Sequence, residues 1–109
     1  MKIENVLFTV TDWTQVSTTE HPGETGKAIW RTIELGNIRV RMVEYSPGYS
    51  ANHWCSRGHV LLVLEGELST ELKDGRKFLL RPGMTYEVAS DAEPHRSSTQ
   101  TGAKLFIVD

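Results

Sequence analysis

Gly48-Tyr49-Ser50-Ala51-Asn52-His53-Trp54-Cys55-Ser56-Arg57-Gly58-His59, running on through Val60-Leu61-Leu62-Val63-Leu64-Glu65 to Gly66, is the stretch that decides the fold. It holds the only cysteine of the 109-residue chain and two of its four histidines. A third histidine, His95, ends a second short segment that starts at Gly83 and passes Ser90, Ala92 and Pro94. His53 and Cys55 are two apart, so on an extended strand they share a face with Cα atoms roughly 6.6 Å apart. Zinc bonds of about 2.0 to 2.3 Å let both side chains reach one ion. His59 follows a Ser-Arg-Gly stretch that can redirect the chain, and His95 must arrive from a distant strand. A barrel would bring all four together. Alone, a histidine in a β-protein is usually a satisfied polar residue, and a free cysteine is a small buried hydrophobe. Four such residues at these positions point instead to a metal site. His21, in a polar Thr/Glu/Gly-rich stretch, has no partner at ligand spacing and reads as solvated surface.

The periodicity is that of strands almost throughout. Ala28–Leu35, Ile38–Tyr45, His59–Glu65, Glu67–Lys73, Lys77–Leu80, Thr85–Ala89 and Ala103–Val108 are short, rich in β-branched, aromatic or aliphatic residues, and bounded by turn signals. Asp74-Gly75 predicts a two-residue type I′ hairpin. Pro47-Gly48 and Pro82-Gly83 predict type II turns. The expected class is all-β, a sandwich or closed barrel. On Ile38–Tyr45 one face offers Ile38, Val40, Met42 and Glu44, and the other Arg39, Arg41, Val43 and Tyr45; alternation alone does not say which lies inside.

These residues resemble the cupin double signature. In that family a glycine leads to His-x-His, then three or four residues to Glu, then six to Gly, and a later segment reads Gly, spacer, Pro-x-Gly-x-x-His. Here the first segment is His53-x-Cys55, three residues, His59, six residues, Gly66; the second is Gly83, six residues, Ser90-x-Ala92-x-x-His95. The likeness covers about Ile38 to Asp109, and Asn52-His53-Trp54-Cys55 is similar to the Asp-His-Cys-Trp type of small bacterial cupin. Cys55 stands where the second histidine is usual, His59 where the glutamate is, and Thr99 where a late asparagine is expected. The spacer after Gly48 is one residue short. The resemblance implies a cupin double-stranded β-helix (jelly-roll barrel) as one domain over residues 1–109, with 1–37 as N-terminal arm and strands and 38–109 as the barrel motifs. It also implies His53, Cys55, His59 and His95 as metal ligands, and a homodimer.

Exchanging His for Cys and Glu for His leaves the ligand charge unchanged but softens the set, favouring zinc, with iron(II), nickel or copper behind it, over manganese or magnesium. Four zinc-bound side chains would fill the tetrahedral shell, and three would leave an open position. Cys55 could also pack beside an ion without touching it. A thiolate close to a cation and imidazoles has a lowered pKa. Met42 or Arg41 is a candidate pocket wall, Ser97 shares a face with His95, and Tyr86 or Tyr45 could supply a proton or a hydrogen bond.

The 14 acidic against 12 basic residues, with the bases scattered, argue against nucleic acid or an anionic membrane as partner. One cysteine excludes an internal disulfide and fits a reducing cytoplasm. No segment has signal-peptide or membrane-span character. Asp12–Lys27 is a polar stretch longer than usual connections, read as an arm or a substrate lid anchored by Trp13. Two functions compete: a metal-dependent enzyme acting on a small molecule, and a non-catalytic ligand-binding or sensing module with a structural metal or an empty pocket.

Overall fold

The alternating residues form nine strands in a computed structural model, which describes residues 2–109. In order they are β1 (Thr18–Pro22), β2 (Lys27–Leu35), β3 (Ile38–Tyr45), β4 (His59–Gly66), β5 (Leu68–Leu72), β6 (Lys77–Leu80), β7 (Thr85–Val88), β8 (His95–Ser98) and β9 (Ala103–Val108). β1-β2-β3-β9-β4-β7 make a six-stranded antiparallel sheet, and β6-β5-β8 a three-stranded one. The non-sequential neighbours β3-β9-β4 and β5-β8 give the jelly-roll arrangement.

Alternation along the strands decides the interior. Ala28, Val43, Leu61, Val63, Leu105 and Ile107 from the large sheet meet Leu68 and Leu80 from the small one. Leu61, Val63, Leu68 and Leu105 are under 2% exposed, each burial stabilising by about 1.5 to 3 kcal/mol. At one end the same inward rows continue as polar residues. His59 precedes Leu61 on β4, Arg41 precedes Val43 on β3, and His95 and Ser97 lie on β8; all four are buried. The side chain of Asp109, two residues beyond Ile107, is 1% exposed. Arg41 therefore faces inward and Met42 outward, which settles the face that sequence left open.

Some expectations change. Asp74-Gly75 does form a hairpin, but positive φ occurs only at Gly75 (101°). Gly75 N–H donates to the Leu72 carbonyl and Leu72 N–H to that of Arg76, so a turn over Lys73-Asp74 ends in a left-handed glycine rather than type I′. Pro47-Gly48 and Pro82-Gly83 make the expected turns, with φ of 82° and 89° at the glycines. The polar Asp12–Lys27 segment becomes a 3-10 turn at Trp13–Gln15 followed by β1, an edge strand paired along β2. Arg31 Nη1 ties it down by donating to the carbonyls of Trp13 and Val16. His21, expected as solvated surface, is half-buried and stacks on Trp30 with ring centroids 3.8 Å apart.

Candidate metal centre

β4 carries His59 on its inward row, and β8 carries His95 on the facing sheet. Cys55 lies outside any strand but is fixed by a two-way bridge: its N–H donates to the His95 carbonyl at 2.7 Å, and the His95 N–H donates back at 3.0 Å. Three elements thus deliver one thiol and two imidazoles whose ligand atoms lie within 4.8 Å of one another. The two Nε2 atoms are 3.2 Å apart. Two nitrogens bound tetrahedrally at zinc distances stand about 3.3 Å apart, so the imidazole pair already has the right spacing.

The remaining ring nitrogens agree with this. His95 Nδ1 lies 2.9 Å from the Glu93 carbonyl, which can only accept, so Nδ1 carries a proton and Nε2 is the nitrogen that would ligate once its own proton is lost. Burial, helped by the charge on His95, pushes the His59 pKa down to about 4, keeping that ring in its neutral, ligating form at pH 7. His59 Nδ1 is buried without a hydrogen-bond partner, 3.9 Å from Asp109 Oδ2. Tying up Nε2 would direct the Nδ1 proton at that carboxylate, the outer partner commonly seen behind metal-bound histidines. A hydrogen bond with His95 holds the Cys55 thiol below the ordinary value against the opposing effect of burial, and the same bond raises His95. The donor set fits a soft divalent metal.

His53 stands apart. The expectation that it shares a strand face with Cys55 required extended chain, but Asn52 and His53 form a bend. His53 is exposed, its Nδ1 is 2.8 Å from Asn52 Oδ1, and it is not among the clustered donors, although it lines the same cavity. That cavity, about 240 Å³, is lined by Cys55, His59 and His95 and by Arg41, Tyr86 and Ser97. Tyr86 Oη is 2.8 Å from His59 Nε2, and burial raises the phenol pKa well above its usual value. Tyr45, partly buried against the core, is raised more strongly for the same reason. Met42 lines a groove on the outer side of the large sheet instead, with Trp13.

Sequence reasoning named Arg41 as a candidate pocket wall but anticipated neither Asp109 nor its pairing with Arg39, Arg41 and Arg57. Arg39 grips both carboxylate oxygens at 2.8 and 2.9 Å, Arg41 Nη2 is 3.1 Å from Oδ2, and Arg57 Nε is 3.4 Å from the same oxygen. Burial acts to raise the Asp109 pKa, but the Arg39 hydrogen bond and the charges of Arg41 and Arg39 prevail and lower it. The available signal was alternation, which sets Arg39 with Arg41, and Asp109 with Ile107.

No family model matches the sequence, and no curated protein matches it. Solved structures do match by shape. An RmlC-like cupin from Shewanella frigidimarina is 18% identical at a TM-score of 0.72, over 95% of this chain and 91% of that one. Ectoine synthase from P. lautus is 18% identical at 0.72, over 93% and 76%. A structure of Fe(II)-HppE with the alternative substrate (S)-1-HPP is 15% identical at 0.77, over 99% of this chain and 62% of that one. With these neighbours, its two antiparallel sheets and its inward histidines, the chain has the fold of a small cupin domain, a jelly-roll β-barrel.

Proposed function

We propose that the protein holds one divalent transition-metal ion on Cys55, His59 and His95 and acts as a metal-dependent enzyme on a small molecule. The observation that carries this reading is the number of converging donors. Three protein ligands leave a tetrahedral ion one open position for water or substrate, as in catalytic rather than structural zinc sites. All three donors line one cavity, so an open position would have a chamber beside it. Thiolate and imidazole favour zinc, followed by iron(II), nickel and copper. When bound, such an ion supplies a Lewis acid or activates water or dioxygen. Tyr86, kept protonated by burial, is the hydrogen-bond donor nearest the donor group.

The second reading, a ligand-binding or sensing module with a structural metal, is favoured by His53, which lines the same cavity and would complete a four-ligand shell if it turned inward. Elemental mass spectrometry of wild type, Cys55→Ala, His95→Ala and His53→Ala decides between them. The enzyme reading expects about one equivalent of metal in wild type and His53→Ala, and none in the other two. Loss in His53→Ala as well moves the reading to a filled, structural shell. Folded wild-type protein that takes up no metal rejects the centre.

The proposed partners are a small-molecule ligand and a second copy of the chain, with neither nucleic acid nor membrane. On the arm, Leu7, Phe8 and Val10 are 87%, 96% and 83% exposed. The strand faces turned away from the core carry Val40, Met42, Leu62, Leu64 and Phe106, and among the described residues no further sheet packs over them. A twofold pair lets each arm cover apolar surface of its partner, because one chain supplies both halves of the contact. Among the described residues no helix is long and apolar enough to cross a membrane. The free Cys55 thiol supports a reducing, cytoplasmic setting.

A further inference from the structure

The polar end of the barrel holds more positive charge than its one buried carboxylate balances. Arg39 occupies both oxygens of Asp109, leaving Arg41 and Arg57 as second and third claimants on the same group. The Arg41 side chain is 7% exposed, and its sole side-chain hydrogen bond among the described residues is the one to Asp109. Its Nε is buried with no hydrogen-bond partner among the described residues. Buried donors are nearly always satisfied, and an arginine serving only as a strut would be satisfied too. The guanidinium lies 4.4 Å over the Trp30 ring, which fixes its plane and leaves its edge to bind. Burial and the neighbouring Arg39 both disfavour its charge, which an added anion would relieve.

Arg41 and Arg57 line the same cavity as the metal donors. Much of the remaining wall is aromatic or aliphatic, from Trp30, Tyr49, Leu61, Tyr86 and Ile107. Such a chamber suits an anionic head on an apolar body better than a bare inorganic ion. Its 240 Å³ exceeds the roughly 150 Å³ that admits benzene in an engineered apolar cavity, leaving room for a carboxylate on a six-membered ring. We propose that this cavity binds a small organic carboxylate through the free edge of Arg41, with Arg57 at the rim. The inference rests on the metal-enzyme reading only for the ligand's being a substrate; binding itself requires just the arginines and the apolar wall.

The test is calorimetric titration of the full chain with benzoate, benzamide and inorganic phosphate, on metal-loaded and chelator-stripped protein, with metal content measured on the same samples. Benzoate is expected to bind, and benzamide, of the same shape without the charge, to bind at least about tenfold more weakly. Arg41→Gln is expected to weaken benzoate by about ten- to a hundredfold, with Arg41→Lys recovering part of it, while Arg76→Gln on the exposed hairpin leaves it unchanged. Equal binding of benzamide and benzoate, phosphate binding without benzoate binding, or a folded Arg41→Gln that binds as wild type does would each overturn the proposal. The benzamide comparison uses wild-type protein and decides the matter even where Arg41→Gln fails to fold. Arg41-dependent benzoate binding by protein that takes up no metal would uphold this site while removing the metal reading. Metal uptake without benzoate binding would do the reverse.

Discussion

Asp109→Asn removes one negative charge and very little volume from the polar end of the barrel, so its effect isolates electrostatics from packing. In the wild type the carboxylate is 1% exposed, and the side chains of Arg39 and Arg41 are 17% and 7% exposed. The amide can receive from one of these arginines but cannot neutralise either. Breaking a buried ion pair by removing one partner typically costs about 3 to 5 kcal/mol, because the remaining charge stays desolvated. Taking about 3 kcal/mol, since Arg39 keeps some access to water, the loss is a large share of the roughly 5 to 15 kcal/mol expected for a domain. It corresponds to a fall in Tm of about 12 to 24 °C. Urea unfolding followed by tryptophan fluorescence measures it directly, with Trp30 reporting on the Arg41 environment. The pH dependence provides a second arm. Asp109 is more acidic in the folded chain than in the unfolded one, so the folded state binds fewer protons. Its stabilisation is therefore complete above the unfolded value of about 3.9 and is lost as pH falls through the lower folded value. Asp109→Asn should flatten that acid limb. A loss below about 1 kcal/mol with an unchanged acid limb would refute the reasoning and make the cluster a surface-like ion pair.

Metal uptake should weaken as pH falls, approaching about tenfold per pH unit where a metal must displace the proton held between Cys55, whose pKa is lowered, and His95, whose pKa is raised by the same hydrogen bond. His59, already neutral above about pH 4, adds nothing to that slope, and competition against a chelator that shows a flat profile would exclude His95 as a ligand. Phe8→Ser, at a side chain 96% exposed, should leave the melting temperature of the isolated fold unchanged while shifting light-scattering mass from dimer toward monomer. A wild-type monomer at working concentration would end the pairing proposal.

Alternation, with turn signals, was enough to place β3, β6 and β9 with their observed bounds, although only β9 sets an apolar residue into the core at every second position, Ala103, Leu105 and Ile107, while β3 contributes Val43 and β6 Leu80. It did not reveal β1, where Thr18-Thr19-Glu20-His21-Pro22 has no apolar face and is held as an edge by its main-chain pairing with β2. Nor did it reveal β8, whose inward residues His95 and Ser97 are polar because they line the cavity. The face of β3 stayed ambiguous for a related reason. Val40 and Met42 are as apolar as Val43 and Tyr45, since the outer side of the large sheet is also hydrophobic. The donors Cys55, His59 and His95 were legible as residue types at family spacing. That His53 would stand aside was not, because spacing carries no information on whether a loop is extended.

The difference between His53 and Cys55 follows from what holds each one. Cys55 is placed by two main-chain hydrogen bonds to His95, the residue whose imidazole it must meet, so thiol and ring are positioned by one pairing on an ordered strand. Among the described residues the His53 side chain, two residues earlier, hydrogen-bonds only to the neighbouring Asn52. Functional side chains on rigid elements keep their geometry, while those on loops keep it only through their own contacts. The same contrast separates the arginines: Arg39 and Arg41 sit on β3 and reach Asp109 at 2.8 and 3.1 Å, whereas Arg57, on the loop with His53 and half-exposed, stands at 3.4 Å. The cavity therefore has a wall on paired strands and their bridge, with His59, His95, Cys55 and Arg41, and a loop-borne rim, with His53 and Arg57. A ligand entering from the rim would meet exposed, loop-borne groups with few contacts before it reached buried groups held by strand pairing. For the proposed carboxylate, that order would place selectivity for charge on Arg41 and leave the rim to control access.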